Sequence, residues 1–417
     1  MSTVSATERM RDNRGTLLIV LATALSAVAV LVFQAVASRT LGTEGFAPIA
    51  VLWTVMFLLH TVLMLPAEQH LTRALVVTRS KDDLRSVYKA MLGAYGLALM
   101  IGPAFTAATL DRFFEGQWAY VWLMAAVVIG RSTMTAGRGT LAGHRRFAGY
   151  GATIALEAGA LLIGGVVVTA SGGGAMAFGI AILLAPFATL LSRPFASIEG
   201  HGDRPNVVPQ RPSFLAWLVL ATAASQAIIA GGPIAVGFIG GSAAAVSIFF
   251  TSFALLRGPI TSAYNLVARV LPDFTELAQG VDPHRLWRWG PRLVVFGLGV
   301  AVLGAVGAGI FLRPLVGAIY GDAFRPPQLA AVFGGASIGL GLGALFATQM
   351  YTAAAKGPKL AAGWVIALVA ALAFLGFSDL EPITRTAAAF GVGESMGLLL
   401  LGLVLIERGH RQTQHQI

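Results

Sequence analysis

Arg257 stands inside the apolar stretch Ala243–Val267, fourteen positions after its first residue and ten before its last. In a helix that is about 21 Å from one end and about 15 Å from the other. A charge so deep in an inserted helix costs about 2.5–3.5 kcal/mol, so it must face a cavity or a partner. A guanidinium offers a planar fork that matches phosphate oxygens. The chemistry on offer is recognition of phosphate oxygens; the alternative is a buried pair with a carboxylate such as Glu394. Two residues later, Pro259 leaves a helix carbonyl unpaired and predicts a kink.

Other polar groups share this setting. His60 lies in Phe46–Ala67 at a depth matching Arg257 and offers a second donor or a proton-sensitive group, or a hydrogen-bonded core histidine. Gln34 and Gln226 can bind sugar hydroxyls or tie helices together. Glu394 is a partner for Arg257 or a protonation site. Arg257, His60, Gln34, Gln226 and Glu394 are therefore the expected substrate-binding set. Arg131 and Glu157 each lie thirteen residues from the same end of adjacent stretches. That shared depth predicts a structural ion pair, and each would be costly alone. Ser26 and Ser225 suit close helix packing. No catalytic, metal or cofactor site is expected. The chain has no cysteine, and it shows no H-E-x-x-H, G-x-S-x-G or P-loop pattern.

The elements that must hold these groups follow from composition. Of 417 residues, 56% are hydrophobic and only 12% charged, with a mean hydropathy of +0.76. Soluble domains run at about a quarter charged residues, so a water-soluble enzyme is excluded. A membrane helix needs about 20 mostly apolar residues. Twelve such stretches are predicted: Thr16–Ser38, Phe46–Ala67, Tyr88–Ala108, Trp118–Ala136, Gly149–Ala170, Ala175–Leu191, Phe214–Phe238, Ala243–Val267, Leu293–Leu312, Gln328–Ala354, Leu360–Phe377 and Thr384–Ile406. The first has a basic flank, but its apolar core is too long for a signal peptide, so it is expected to be retained. The fold class is an all-α polytopic membrane protein.

Loop charge sets the expected orientation. With both termini cytoplasmic, 22 of the 29 Lys and Arg residues fall on inner segments, counting Lys89 at the inner edge of its stretch, and five on outer loops. That is a strong positive-inside bias, and it assigns the net charge of +10 to topology in a cell membrane rather than to nucleic acid. The basic segment Arg79–Arg85 and the Arg145, Arg146 pair serve that topology or hold anionic lipid headgroups.

The chain also repeats. Val20-Leu21-Ala22-Thr23-Ala24 recurs as Val219-Leu220-Ala221-Thr222-Ala223, and Leu41-Gly42 matches Ile239-Gly240. Six spans per half make this a parallel repeat about an axis along the membrane normal. The expected organisation is an N-terminal six-helix lobe (1–196), a cytoplasmic linker (197–212) and a C-terminal six-helix lobe (213–417).

The segment Ala37-Ser38-Arg39-Thr40-Leu41-Gly42-Thr43-Glu44-Gly45-Phe46 resembles the signature that follows the first helix of Wzx-like polysaccharide flippases. These belong to the multidrug/oligosaccharidyl-lipid/polysaccharide (MOP) exporter superfamily. Arg138 to Phe147 is similar to that family's loop between spans four and five. Ala268-Arg269-Val270-Leu271-Pro272 resembles the close of span eight, and Gln349 to Leu360 the turn after span ten. Pro48 departs from the pattern. The resemblance implies two six-helix lobes around a central cavity and alternating access. Its substrate would be a polyprenyl-phosphate-linked saccharide, handled among membrane lipids, with coupling to H+ or Na+ left open.

The leading expectation is thus a lipid-linked oligosaccharide flippase, not an enzyme. The alternative is a cation-coupled multidrug exporter of the same superfamily. Such exporters place carboxylates in span one or seven, and Thr16–Ser38 and Phe214–Phe238 contain none. A membrane glycosyltransferase or polymerase would need sizeable outer loops, which are missing here.

Overall fold

Long apolar runs have no face to offer water, and a bilayer supplies no hydrogen bonds to a bare backbone. Each segment must then satisfy its own amides, which a helix does. A computed structural model describes residues 6–77, 81–144, 146–195, 212–260, 263, 274, 277–278 and 284–413. Of these, the side chains of 6–17, 73, 76–77, 81–84, 212–215, 284, 287 and 403–413 are outside the description. The described residues are helical, without strands.

The chain divides into two compact units, Met1–Val208 and Pro209–Ile417. Apart from Pro212, the expected linker at 197–212 lies outside the described residues. The first unit holds α1 (Ala6–Gly45), α2 (Ala47–Leu59), α3 (Leu65–Val77), α4 (Lys81–Ala108), α5 (Leu110–Phe113), α6 (Ala119–Gly143), α7 (Phe147–Ala170) and α8 (Ala175–Ala188). The second holds α9 (Pro212–Ala230), α10 (Gly232–Phe238), α11 (Ala243–Leu256), α12 (His284–Trp287), α13 (Trp289–Tyr320), α14 (Gln328–Ala353), α15 (Gly357–Phe377) and α16 (Pro382–Thr413). Among the described residues, ten helical segments are long and apolar enough to cross a membrane, or eleven if α9 and α10 form one bent span. The twelfth expected span, Thr384–Ile406, falls within α16.

Several expected spans are not single straight helices. Phe46–Ala67 is interrupted by a π turn over His60–Met64. Its cause is Pro66, which has no N–H for the usual ladder. The Leu65 N–H instead reaches back five residues to the His60 carbonyl. Phe214–Phe238 bends by 67° between α9 and α10. Here Pro233 again lacks a donor, and a β-carbon on Gly232 would overlap the Phe249 ring. Ala243–Val267 ends its first helix at Leu256 and turns at Arg257. Residues 261–262 and 264–267 of that span lie outside the description, as does the segment 268–272. Leu293–Leu312 runs on to Tyr320, taking Arg313 out of its expected outer loop and into a helix.

The two matched glycines behave alike. Gly42 has φ +71° and Gly240 has φ +94°, backbone that favours glycine. Each ends the first apolar segment of its unit.

In the second unit, α13 and α14 pack with almost no side chain between them. Gly297, Ala301, Gly304 and Ala308 of α13 face Gly335, Gly339 and Gly343 of α14. A β-carbon on Gly335 would overlap the Gly304 carbonyl oxygen, and one on Gly339 the Ala301 backbone. Small residues spaced one turn apart let backbones approach this closely in lipid. The opposite side of α13 exposes Val295, Leu298, Val302, Val306 and Ile310, a face suited to hydrocarbon.

Candidate functional site

The first unit has a buried polar column built on three helical segments. In the middle of α7, Glu157 is gripped by two guanidiniums. Arg131 Nη1 of α6 lies 2.6 Å from Glu157 Oε1, and Arg138 Nη2 lies 2.8 Å from Oε2. Arg138 Nε also donates to Thr153 Oγ1 at 3.0 Å, and that hydroxyl donates to the Tyr150 carbonyl at 2.6 Å. The Tyr150 hydroxyl donates to Glu68 Oε1 of α3 at 3.1 Å, and Glu68 is buried. Charge-assisted bonds of this kind are roughly twice as strong as neutral ones.

This corrects the sequence reading of Arg138. It is not a loop charge serving topology alone. It sits inside α6, and its side chain is only 12% exposed. Glu68 and Tyr150 were likewise missed. The signal was available: Arg131 and Arg138 are seven residues apart, as are Tyr150 and Glu157, so each pair shares a helix face.

His60 opens the π turn, and among the described residues its buried Nδ1 has no hydrogen-bond partner. It feels the charges of Arg131, Arg138 and Glu157, so its setting is this column. Arg131 Nε is also a buried donor without a partner among the described residues. Gln34 of α1 is buried in the same unit.

In the second unit, Arg257 caps α11. Its backbone N–H donates to the Phe253 carbonyl at 2.9 Å, and its Nε to the same oxygen at 3.3 Å. Its guanidinium lies toward Tyr320 at the end of α13. Leu256, the residue before it, meets Gly334 of α14. Glu394 of α16 is fully buried. Among the described residues neither of its oxygens has a hydrogen-bond partner, so the Arg257–Glu394 pair is not made. Gln226 of α9 is buried in this unit, as is Ser225, whose hydroxyl donates to the Thr222 carbonyl at 3.0 Å. No cluster of three or more His, Asp or Glu able to hold a metal ion occurs among the described residues.

The chain matches no protein-family model and no curated protein. Solved structures do match. An inward-facing multidrug resistance MATE family transporter of the MOP superfamily superposes with a TM-score of 0.64 at 14% identity, covering 93% of this chain and 96% of that one. A mutant Vibrio cholerae MATE transporter gives 0.60 at 12% identity, over 96% and 97%. A MATE structure described as bent gives 0.59 at 14%, over 97% of both chains. Over nearly its whole length, then, this chain shares the all-helical fold of the MATE transporters.

Proposed function

We propose that this protein is a membrane transporter that moves a lipid-linked saccharide across the cell membrane by alternating access, gripping the substrate's phosphate with Arg257. The supporting observation is the place of Arg257 in its own unit: a guanidinium at a helix break inside an apolar span. An anionic headgroup needs a cation of this kind. The carboxylate-free stretches Thr16–Ser38 and Phe214–Phe238 support an anionic rather than a cationic substrate. His60, Gln34, Gln226 and Glu394 are the further polar groups assigned to the transport path.

A second reading, a cation-coupled multidrug exporter, draws on the first matched structure, which is described as a multidrug resistance transporter. The two are separated by one comparison. Expression in a flippase-deficient strain should restore surface polysaccharide. Expression in a drug-sensitive strain should leave its resistance to cationic dyes unchanged. Dye resistance without polysaccharide rescue would favour the exporter.

A further inference from the structure

Glu394 lies inside α16 with no solvent exposure. Its carboxyl group abuts Gly341 of α14: a β-carbon on residue 341 would stand 3.3 Å from Oε2 and 3.4 Å from Cδ. The same point is 3.2 Å from Ile260 Cδ1. The missing side chain at 341 therefore makes the room that the carboxyl occupies, and the wall beside it is aliphatic. The nearby hydroxyl of Ser337 is already committed, donating to the Phe333 carbonyl at 2.6 Å.

No described ionisable group faces it from the helices packed on α16. Within α9, α10 and α11 no Asp, Glu, His, Lys, Arg or Tyr occurs among the described side chains. Arg257 caps α11 one turn before Ile260, without bonding Glu394. On α12, Arg285 belongs to the end of the unit where α13 starts. On α13, the level of Glu394 is that of Ala301, through Gly339. That puts Arg292 about 13 Å, Arg313 about 18 Å and Tyr320 about 28 Å away along the helix. On α14, Tyr351 is about 15 Å beyond Gly341, and its hydroxyl donates to the Leu401 carbonyl. On α15, Lys359 precedes Trp364, whose ring meets Gly397, so it points to the far end of α16. On α16 itself, Arg385 bonds the Leu380 carbonyl.

An ionised carboxylate cut off from water, donors and cations is among the costliest things a protein interior can hold. A neutral carboxylic acid is far cheaper. A hard metal cation needs a shell of about six oxygens, whereas this carboxyl group abuts Gly341 beside the aliphatic Ile260. We propose that Glu394 is a reversible proton-binding site. It holds a proton while the second unit is packed as seen and releases it when water reaches the α14–α16 seam. The ligand is a proton whatever solute is carried, so this inference does not rest on the saccharide reading.

Infrared difference spectroscopy on purified protein in lipid nanodiscs tests it. At neutral pH the wild type should show the carbonyl stretch of a protonated carboxyl group that Glu394→Gln lacks. Gly341→Ala should shift that band, because its methyl presses on the carboxyl. Glu394→Gln should keep wild-type abundance and thermal stability, since one neutral group replaces another. Any of three results would overturn the proposal: no such band difference, a band that sodium removes at fixed pH, or strong destabilisation by Glu394→Gln. If the band behaves as expected but polysaccharide rescue fails, the proton site stands and the saccharide reading falls.

Discussion

Arg138 Nη2 lies 2.8 Å from Glu157 Oε2, so the carboxylate expected to pair with Arg131 alone is shared between two guanidiniums. That sharing changes what a mutation must do. Glu157→Ala strands two buried cations, and breaking a buried pair costs about 3–5 kcal/mol. A large drop in thermal stability in detergent is expected. Arg131→Ala strands no carboxylate, because Arg138 remains, so its loss should be smaller. Adding Arg131→Ala to Glu157→Ala should recover only part of the Glu157→Ala loss, because Arg138 is still left unpaired. Wild-type stability for Glu157→Ala would contradict this account.

Arg257→Ala should abolish polysaccharide rescue in the flippase-deficient strain while abundance stays near wild type. Arg257→Lys should restore part of the activity, because an ammonium keeps the charge and loses the fork. Abundance and rescue must be measured on the same cultures. Full rescue by Arg257→Ala would remove it from the substrate path.

The glycine seam between α13 and α14 predicts a purely structural defect. Gly335→Leu places its β-carbon on the Gly304 carbonyl, and overpacking typically costs about 1–3 kcal/mol. With backbone as the obstacle the upper end is expected, seen as reduced abundance and early aggregation on size-exclusion chromatography. By contrast, Gly299→Leu should be tolerated, since nothing lies within 4 Å of its β-carbon position.

The charge bias predicts orientation. With no native cysteine, single cysteines report cleanly. Asp379→Cys should react with a membrane-impermeant maleimide on intact cells. Lys359→Cys should react only after permeabilisation. Both positions are exposed in their unit. The reverse pattern would invert the topology.

Much of the helical layout was legible in the sequence because it depends on a local property. A run of about 20 apolar residues becomes a helix in lipid whatever its neighbours do. The shared depth of Arg131 and Glu157 was also legible, because rise per residue converts position into height. The seven-residue spacing that puts Arg138 on the same helix face as Arg131 was legible too, but its arrival at Glu157 was not. It sits two turns past Arg131, in a segment whose sequence looks like a loop, and only the reach of its side chain across α6 to α7 joins it to Glu157. The breaks at His60 and Gly231 had local causes in Pro66 and Pro233. Whether each proline would bend, bulge or merely be tolerated depended on the helices packed alongside. Glu394 marks the limit most clearly. Sequence showed a carboxylate in an apolar span and offered Arg257 as its partner. Only tertiary packing, with Gly341 making room and no donor within reach among the described residues, decided that the pair is not made.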